Sequence, residues 1–331
     1  MTRPRSPRLL AKIFKLGFLL ALATLPSCSA PHKGTLRIGT NLAPGYEFFY
    51  LARERGWLDP RQVHLVEYST ATEVLRAFRN RIINAAAITM DEAILLAETG
   101  EDVRIVLVTA ISSGSDAILG SLEIQTLAGL RGRRVAVENT AFGAYLLQRA
   151  LDHAGLTRDD LEIVPLPVDQ HERAFRFGRV DALVTFDPMR SRLVQAGAHE
   201  LFSSKDLPGE VVGVLAVRGD AFERLEPAVT AAIANWFRAV DDYAKNSTEA
   251  LPVMAKRHQM SDDAFRQTLT GLQIGDAETN KELMLGDEPR LIQNLALISD
   301  IMIHGNLLAS PIDTARIVDP NPLQVALNRE K

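Results

Sequence analysis

The chain has 331 residues, a formal net charge of −4, seven histidines and one cysteine. A single cysteine excludes an internal disulfide and a multi-cysteine metal site, and an acidic balance argues against nucleic acid or a polybasic membrane surface as partner. A chain of about 300 residues buries a sizeable core without staples and usually divides into two domains.

The N-terminus carries Arg3, Arg5, Arg8, Lys12 and Lys15 and no acid. An apolar run, Leu16 to Leu25, leads to Leu25-Pro26-Ser27-Cys28. Basic, apolar, small residue, cysteine is the order of an export signal, and ten apolar residues are too few to span a bilayer. The segment resembles a bacterial lipoprotein signal, although Pro26 departs from the usual residue there. Residues 1–27 are therefore expected to be removed, with a lipid on Cys28 and residues 28–34 as a linker. Removal leaves 32 basic against 41 acidic residues, a net of −9. No later apolar stretch is long enough for a second span.

Beyond the linker, strands and helices alternate. Leu36 to Gly39 reads as a strand, Glu47 to Arg55 as a helix, Val63 to Tyr68 as a strand and Thr72 to Arg81 as a helix. Asn84 to Ile88 is a short apolar strand, followed by a helix over Asp91 to Glu98. Arg104 to Thr109 is a β-branched strand ending in the loop Ser112-Ser113-Gly114-Ser115-Asp116. This rhythm predicts a parallel sheet with helices on both faces.

The pattern restarts after residue 125. Arg134 to Val137, Glu162 to Leu166 and Ala182 to Thr185 read as strands. Helices are expected over Ala141 to Ala154, over Gln170 to Phe177 and from Pro188. Val211 to Val217 stands alone and fits as a strand returning to the first sheet; from Glu226 the pattern is almost wholly helical. The expected architecture is α/β with two lobes, residues 35–125 plus 211–331 and residues 126–210, and two crossings between them. In open parallel sheets a ligand lies beyond the carboxyl ends of the strands, so the strand-to-helix turns of both lobes are the candidate site.

Those turns carry a resemblance. Gly39-Thr40-Asn41-Leu42-Ala43-Pro44-Gly45-Tyr46, before a helix ending Ala52-Arg53-Glu54-Arg55-Gly56-Trp57-Leu58, resembles the start of solute-binding proteins of ABC importers. The similarity is to the class serving nitrate, sulfonates, taurine and thiamine precursors. Ala87 to Ala93, Leu127 to Val137 and Asp181 to Pro188 fit it in the same order, over about residues 35–305. The resemblance implies the two-lobe periplasmic-binding-protein fold of type II. It also implies a monomer on the envelope side of the membrane that takes a small solute and delivers it to a permease and its ATPase.

Each candidate residue has a structural reading beside the functional one. Asn41 and Tyr46 offer a hydrogen bond and a stacking ring, yet Pro44-Gly45 is also an ordinary turn. Thr70 with Glu73, and Thr89 with Glu92, have capping-box spacing. Asp91 either suits the helix dipole or meets a ligand cation. Ser113 belongs to a hydroxyl-rich loop that suits an anion or zwitterion. Asn139 and Thr140 open the helix whose free N–H groups suit an oxyanion, with Glu138 beside them. Phe186 is a candidate aromatic wall. Asp187 before Pro188 is either an N-cap or a ligand carboxylate. Basic residues are scarce at these turns, which leans the ligand towards a cation or zwitterion.

No Gly-x-Ser-x-Gly, His-Glu-x-x-His or phosphate loop occurs, and the histidines avoid the predicted cleft turns. The expectation is a binding protein with no cofactor, no metal and no catalytic set. The rival reading is a lipoprotein that presents its liganded form to a membrane sensor.

Overall fold

The structure is a computed structural model and describes residues 34–329. The signal segment and Cys28 lie outside the described residues. No described helix is long and apolar enough to cross a membrane.

Two sheets organise the chain. The first contains β1 (Leu36–Thr40), β2 (Val63–Glu67), β3 (Ala85–Thr89), β4 (Val103–Ser112), β10 (Val212–Arg218) and β11 (Leu272–Ile274), in the order β11-β4-β10-β3-β1-β2. The second contains β5 (Asp116–Gly120), β6 (Arg134–Val137), β7 (Glu162–Pro165), β8 (Ala182–Phe186) and β9 (His199–Ser203), in the order β7-β6-β8-β5-β9. Helices α1 (Glu47–Glu54), α2 (Ala71–Arg79) and α3 (Met90–Glu98) follow the first three strands; α4 (Ala141–Ala154), α5 (His171–Arg176) and α6 (Met189–Gln195) follow β6, β7 and β8. The remainder is mostly helical: α7 (Gly219–Lys245), α8 (Ser247–Arg257), α9 (Asp262–Leu269), α10 (Ala277–Met284), α11 (Arg290–His304) and α12 (Asn321–Arg329).

Both sheets are mixed, not parallel as the rhythm predicts. β1 runs parallel to β2 and β3, but β10 is antiparallel to β3 and β4. In the second sheet β6 is parallel to β7 and β8, while β5 is antiparallel to β8 and β9. The cause is a reversal at each crossing. β4 leads through Ser113-Gly114-Ser115 straight into β5, so the chain enters the second sheet at Asp116, well before residue 125. β9 leads back into β10, in the returning position expected of Val211 to Val217. The two crossings are pinned together: Ser112 and Ser204 hydroxyls lie 2.7 Å apart, and Gly114 N–H donates to Ser204 Oγ at 2.7 Å.

Burial explains the rest of the lobes. β3 is Ala-Ala-Ala-Ile because helices cover both its faces, and Ala85 to Ile88 are all buried. Phe48 and Phe49 of α1 pack on Trp236 of α7, with ring centroids 5.4 and 4.6 Å apart. In the second sheet the strand period of two is plain: Val135 and Val137 face one apolar cluster with Leu146 and Leu151, and Ala136 faces the other with Leu183 and Leu193.

Candidate functional site

The turns of both sheets converge on one cleft with about 610 Å³ of space free of protein atoms, part of it open to solvent. The loop after β1 contributes Asn41, Pro44 and Tyr46, and the turn after β3 contributes Thr89 and Glu92. The crossing adds Ser112, Ser115 and Asp116, and the second lobe adds Glu138, Phe142, Phe186 and Asp187. Among these lining residues none is Lys, Arg or His.

Local structure sets each side chain. Asn41 Oδ1 accepts from Ala43 N–H at 3.3 Å, the Asx turn that shapes the loop. Tyr46, buried on the cleft wall, has its hydroxyl pKa raised by burial and by the negative charges of Glu92, Asp116 and Asp91. Phe186 packs edge-on against Phe142, centroids 6.2 Å apart at 74°. Asp187 caps α6: its Oδ1 accepts from Ser191 N–H at 2.9 Å and from Ser191 Oγ at 2.6 Å. It does so while lining the cleft, so the two readings of this acid are compatible.

The carboxyl groups are the chemical signature. Asp91 and Glu92 open α3, each only 2 % exposed. Glu92 Oε2 accepts from Thr89 N–H at 3.0 Å, but Glu92 Oε1 and Asp91 Oδ2 have no hydrogen-bond partner in the protein. Burial raises the pKa of both acids, and their mutual repulsion adds to it for Glu92. Asp116 is pushed up to about 7 by burial, with repulsion from Asp187 and Asp91 behind it. Glu138 and Asp187 are also raised by burial, and the hydrogen bonds each accepts work against that rise. Glu138 reaches across to the first lobe, where its Oε1 accepts from Thr72 N–H at 3.3 Å and Thr72 Oγ1 at 3.1 Å.

Several sequence candidates lie elsewhere. Ser113 is exposed and off the cleft; its neighbours Ser112 and Ser115 face it instead. Thr70 caps α2, accepting from Glu73 N–H at 3.2 Å, and Thr140 caps α4, accepting from Gly143 N–H at 3.2 Å. Thr70, Asn139 and Thr140 line grooves between the lobes outside the cleft. Asp91 sits behind the lining, against Glu92. Glu92, Asp116 and Phe142 are the lining residues that capping grammar and loop composition hid. His171 is fully buried, with Nε2 3.0 Å from Leu166 O, and burial lowers its pKa to about 4. Among the described residues no group of three or more His, Cys, Asp or Glu is placed to hold a metal ion.

Asn41 and Phe186 also line a neighbouring space, together with Arg192, Arg257 and His258. Arg257 is already paired there: its Nη2 lies 2.7 Å from Glu47 Oε1, and Glu67 holds Nη1. Arg192 donates to the His258 carbonyl at 3.1 Å, a second contact between the lobes.

Residues 29–258 match the NMT1-like family. The chain belongs to that family. An aliphatic sulfonates-binding protein of Escherichia coli K12 is 29% identical to this NMT1-like chain over 199 residues, covering 58% of it. The match spans 62% of that relative's length. Among solved structures, the alkanesulfonate-binding protein SsuA of Xanthomonas axonopodis pv. citri, bound to MOPS, superposes with a TM-score of 0.75. It is 21% identical and covers 88% of this chain and 100% of its own. The desulfurization enzyme DSZB superposes with a TM-score of 0.65 at 18% identity, covering 90% of this chain and 100% of its own. At these identities the likeness is one of fold: the two-lobe α/β architecture of periplasmic binding proteins.

Proposed function

We propose that this chain is the solute-binding component of an ABC importer and takes a small polar organic solute, cationic or zwitterionic, into the interlobe cleft. One observation carries the charge assignment. Glu92, Asp116, Glu138 and Asp187 line the cleft, and no basic side chain lines it with them. An anion entering there finds no basic side chain to answer it and meets the like charge of whichever of these carboxyl groups is ionised. An ammonium gains charge-assisted hydrogen bonds, with Tyr46, Phe142 and Phe186 as aromatic surface for its apolar or cationic part. A zwitterion fits if its acidic end points past Asn41 and Phe186 towards Arg192. The sulfonate-binding relatives support the transport role; the carboxyl lining is what separates this cleft from a simple sulfonate site.

The test is mass spectrometry of the solute that co-purifies, followed by a thermal-shift series of amines, amino acids, sulfonates and pyrimidines. The expected result is an amine or amino acid recovered chemically unchanged, since a desulfurization enzyme shares this fold and turnover is the competing reading. Tight binding of an alkyl sulfonate lacking any amine would overturn the charge assignment. The tether belongs to the same reading. Cys28→Ser should move the protein from the membrane to the soluble envelope fraction, and wild-type protein recovered wholly soluble and lipid-free would remove the anchor.

A further inference from the structure

We propose that Asp91, Glu92 and Asp116 form an ammonium site at the base of the cleft, one that holds protons when empty and releases them to an incoming cation. The inference deepens the solute-binding reading and rests on it only for which molecule carries the ammonium. Its geometric basis is Glu92. This side chain is 2 % exposed, lines the cleft, and leaves Oε1 without a partner; its chain neighbour Asp91, set behind the lining, leaves Oδ2 unpartnered as well. A buried carboxylate with an unanswered oxygen is not sustained; it takes a proton or a cation.

The cleft lining supplies no cation of its own. Tyr46 faces the group from the loop after β1, Asp116 from β5, Glu138 from the turn before α4, Asp187 from the end of β8, and Tyr145 from α4. Arg190 on α6 is the basic side chain that bears on Asp116. It is committed to Glu200, with Nε 3.0 Å from Oε2, and stands 3.8 Å from Asp187. The facing strands β4 and β10 offer Ala110, Ser112 and Gly213, none charged. Burial therefore raises Asp91, Glu92 and Asp116 together.

The sign follows from linkage. These groups bind protons more tightly folded than unfolded, so the stability they contribute is complete below about pH 4 and is lost as pH rises through their folded values. His171, with its pKa lowered to about 4, acts oppositely but is silent above its unfolded value of about 6.5. The informative window is therefore pH 6.5 to 8.5, in roughly two steps of one unit.

The experiment is the melting temperature of the ligand-free protein across that window, for wild type, Glu92→Gln, Asp116→Asn and the double variant. Each substitution keeps shape and acceptor while removing the ionisation. Wild-type Tm should fall with rising pH, and at pH 8.5 Glu92→Gln should melt about 2–4 °C higher than wild type. Methylammonium chloride, against sodium chloride at equal ionic strength, should raise wild-type Tm at pH 8.5, much less at pH 6.5, and not at all in the double variant. A flat wild-type profile, an equal fall in all variants, or no difference between methylammonium and sodium would each overturn the site. None of these readings involves the transported solute, so failure here is distinguishable from failure of the importer reading.

Discussion

Asp187 shows how one side chain serves two ends. Its Oδ1 is spent on Ser191, capping α6, while Oδ2 is turned towards Arg190 at 3.8 Å and the residue still borders the cleft. Two substitutions separate these roles. Asp187→Asn keeps a cap acceptor, so stability should change by less than about 0.5 kcal/mol, whereas Asp187→Ala should lose about 1 kcal/mol with the cap. A charge-assisted bond to a ligand ammonium is worth about 1.5–3 kcal/mol, so both variants should weaken a cationic solute by roughly 10- to 150-fold. Urea titration and calorimetric binding on the same preparations check the pair. Unchanged affinity in Asp187→Asn would leave this acid with its capping role alone. Glu47 is the contrasting case. The sequence presents it as a first-turn helical acid, but it is wholly buried, with Arg257 Nε at 2.8 Å and His258 Nε2 at 2.9 Å. Nothing local announces partners that lie 210 residues away, so a buried ion cluster tying α1 to the end of α8 is invisible until the chain is folded.

At the scale of elements the decisive contact is the start of α4 against the end of β6. Gly143 permits it: a Cβ there would meet Glu138 O and Val137 Cγ1 at 2.8 Å. Helix propensity favours alanine over glycine by about 1 kcal/mol, so Gly143→Ala is stabilising unless the clash wins. A backbone oxygen yields little, and overpacking costs about 1–3 kcal/mol. The expected outcome is a net loss of about 1–2 kcal/mol in urea denaturation. It should come with weaker ligand binding, because Glu138 and Phe142 move with the element. A gain in stability would show that α4 is free to shift. The same scale explains what sequence patterning reaches. Long periodic segments such as Ala141 to Ala154 and the strand over Arg104 to Thr109 are legible from spacing alone. β5, β9 and β11 are not, because Ala117-Ile118-Leu119 is a short apolar run behind a Ser-Gly loop, and the other two are short strands with no clear alternation. The cleft is legible as a set of turns, since turns at strand ends are fixed by chain order. Which acids line it is not, because Thr89 and Glu92 satisfy capping spacing whether or not Glu92 has an oxygen to spare.

In the whole molecule, closure sets attraction against repulsion. Hydrogen bonds from Thr72 N–H and Oγ1 to Glu138 and from Arg192 to the His258 carbonyl bridge the lobes, and Ala141 and Tyr145 of α4 pack into the core of the first lobe. Against them, Glu138 of the second lobe stands near enough to Glu92 of the first to raise its pKa, and the two repel when both are ionised. The serine pin between Ser112 and Ser204 lies at the crossings, where a rigid-body hinge between the lobes would turn. Thr72→Val tests this balance with little change of shape. It removes the 3.1 Å hydroxyl bond and leaves the backbone bond to Glu138. A hydrogen bond to a charged group is worth about 1.5–3 kcal/mol and a neutral one about 1. Even the smaller figure shifts an open–closed equilibrium about 5-fold and raises the apparent Kd by as much when the closed form is the competent one. The radius of gyration of the ligand-free variant should therefore exceed that of wild type in solution scattering, and saturating solute should bring the two together. The gap should widen from pH 6.5 to 8.5, because ionising Glu92, whose pKa burial raises to about 8, strengthens the repulsion that the lost bond opposed. Equal radii for variant and wild type at both pH values, with equal Kd, would mean that Thr72 does not latch the lobes and that closure is held by Arg192 and the pinned crossings instead.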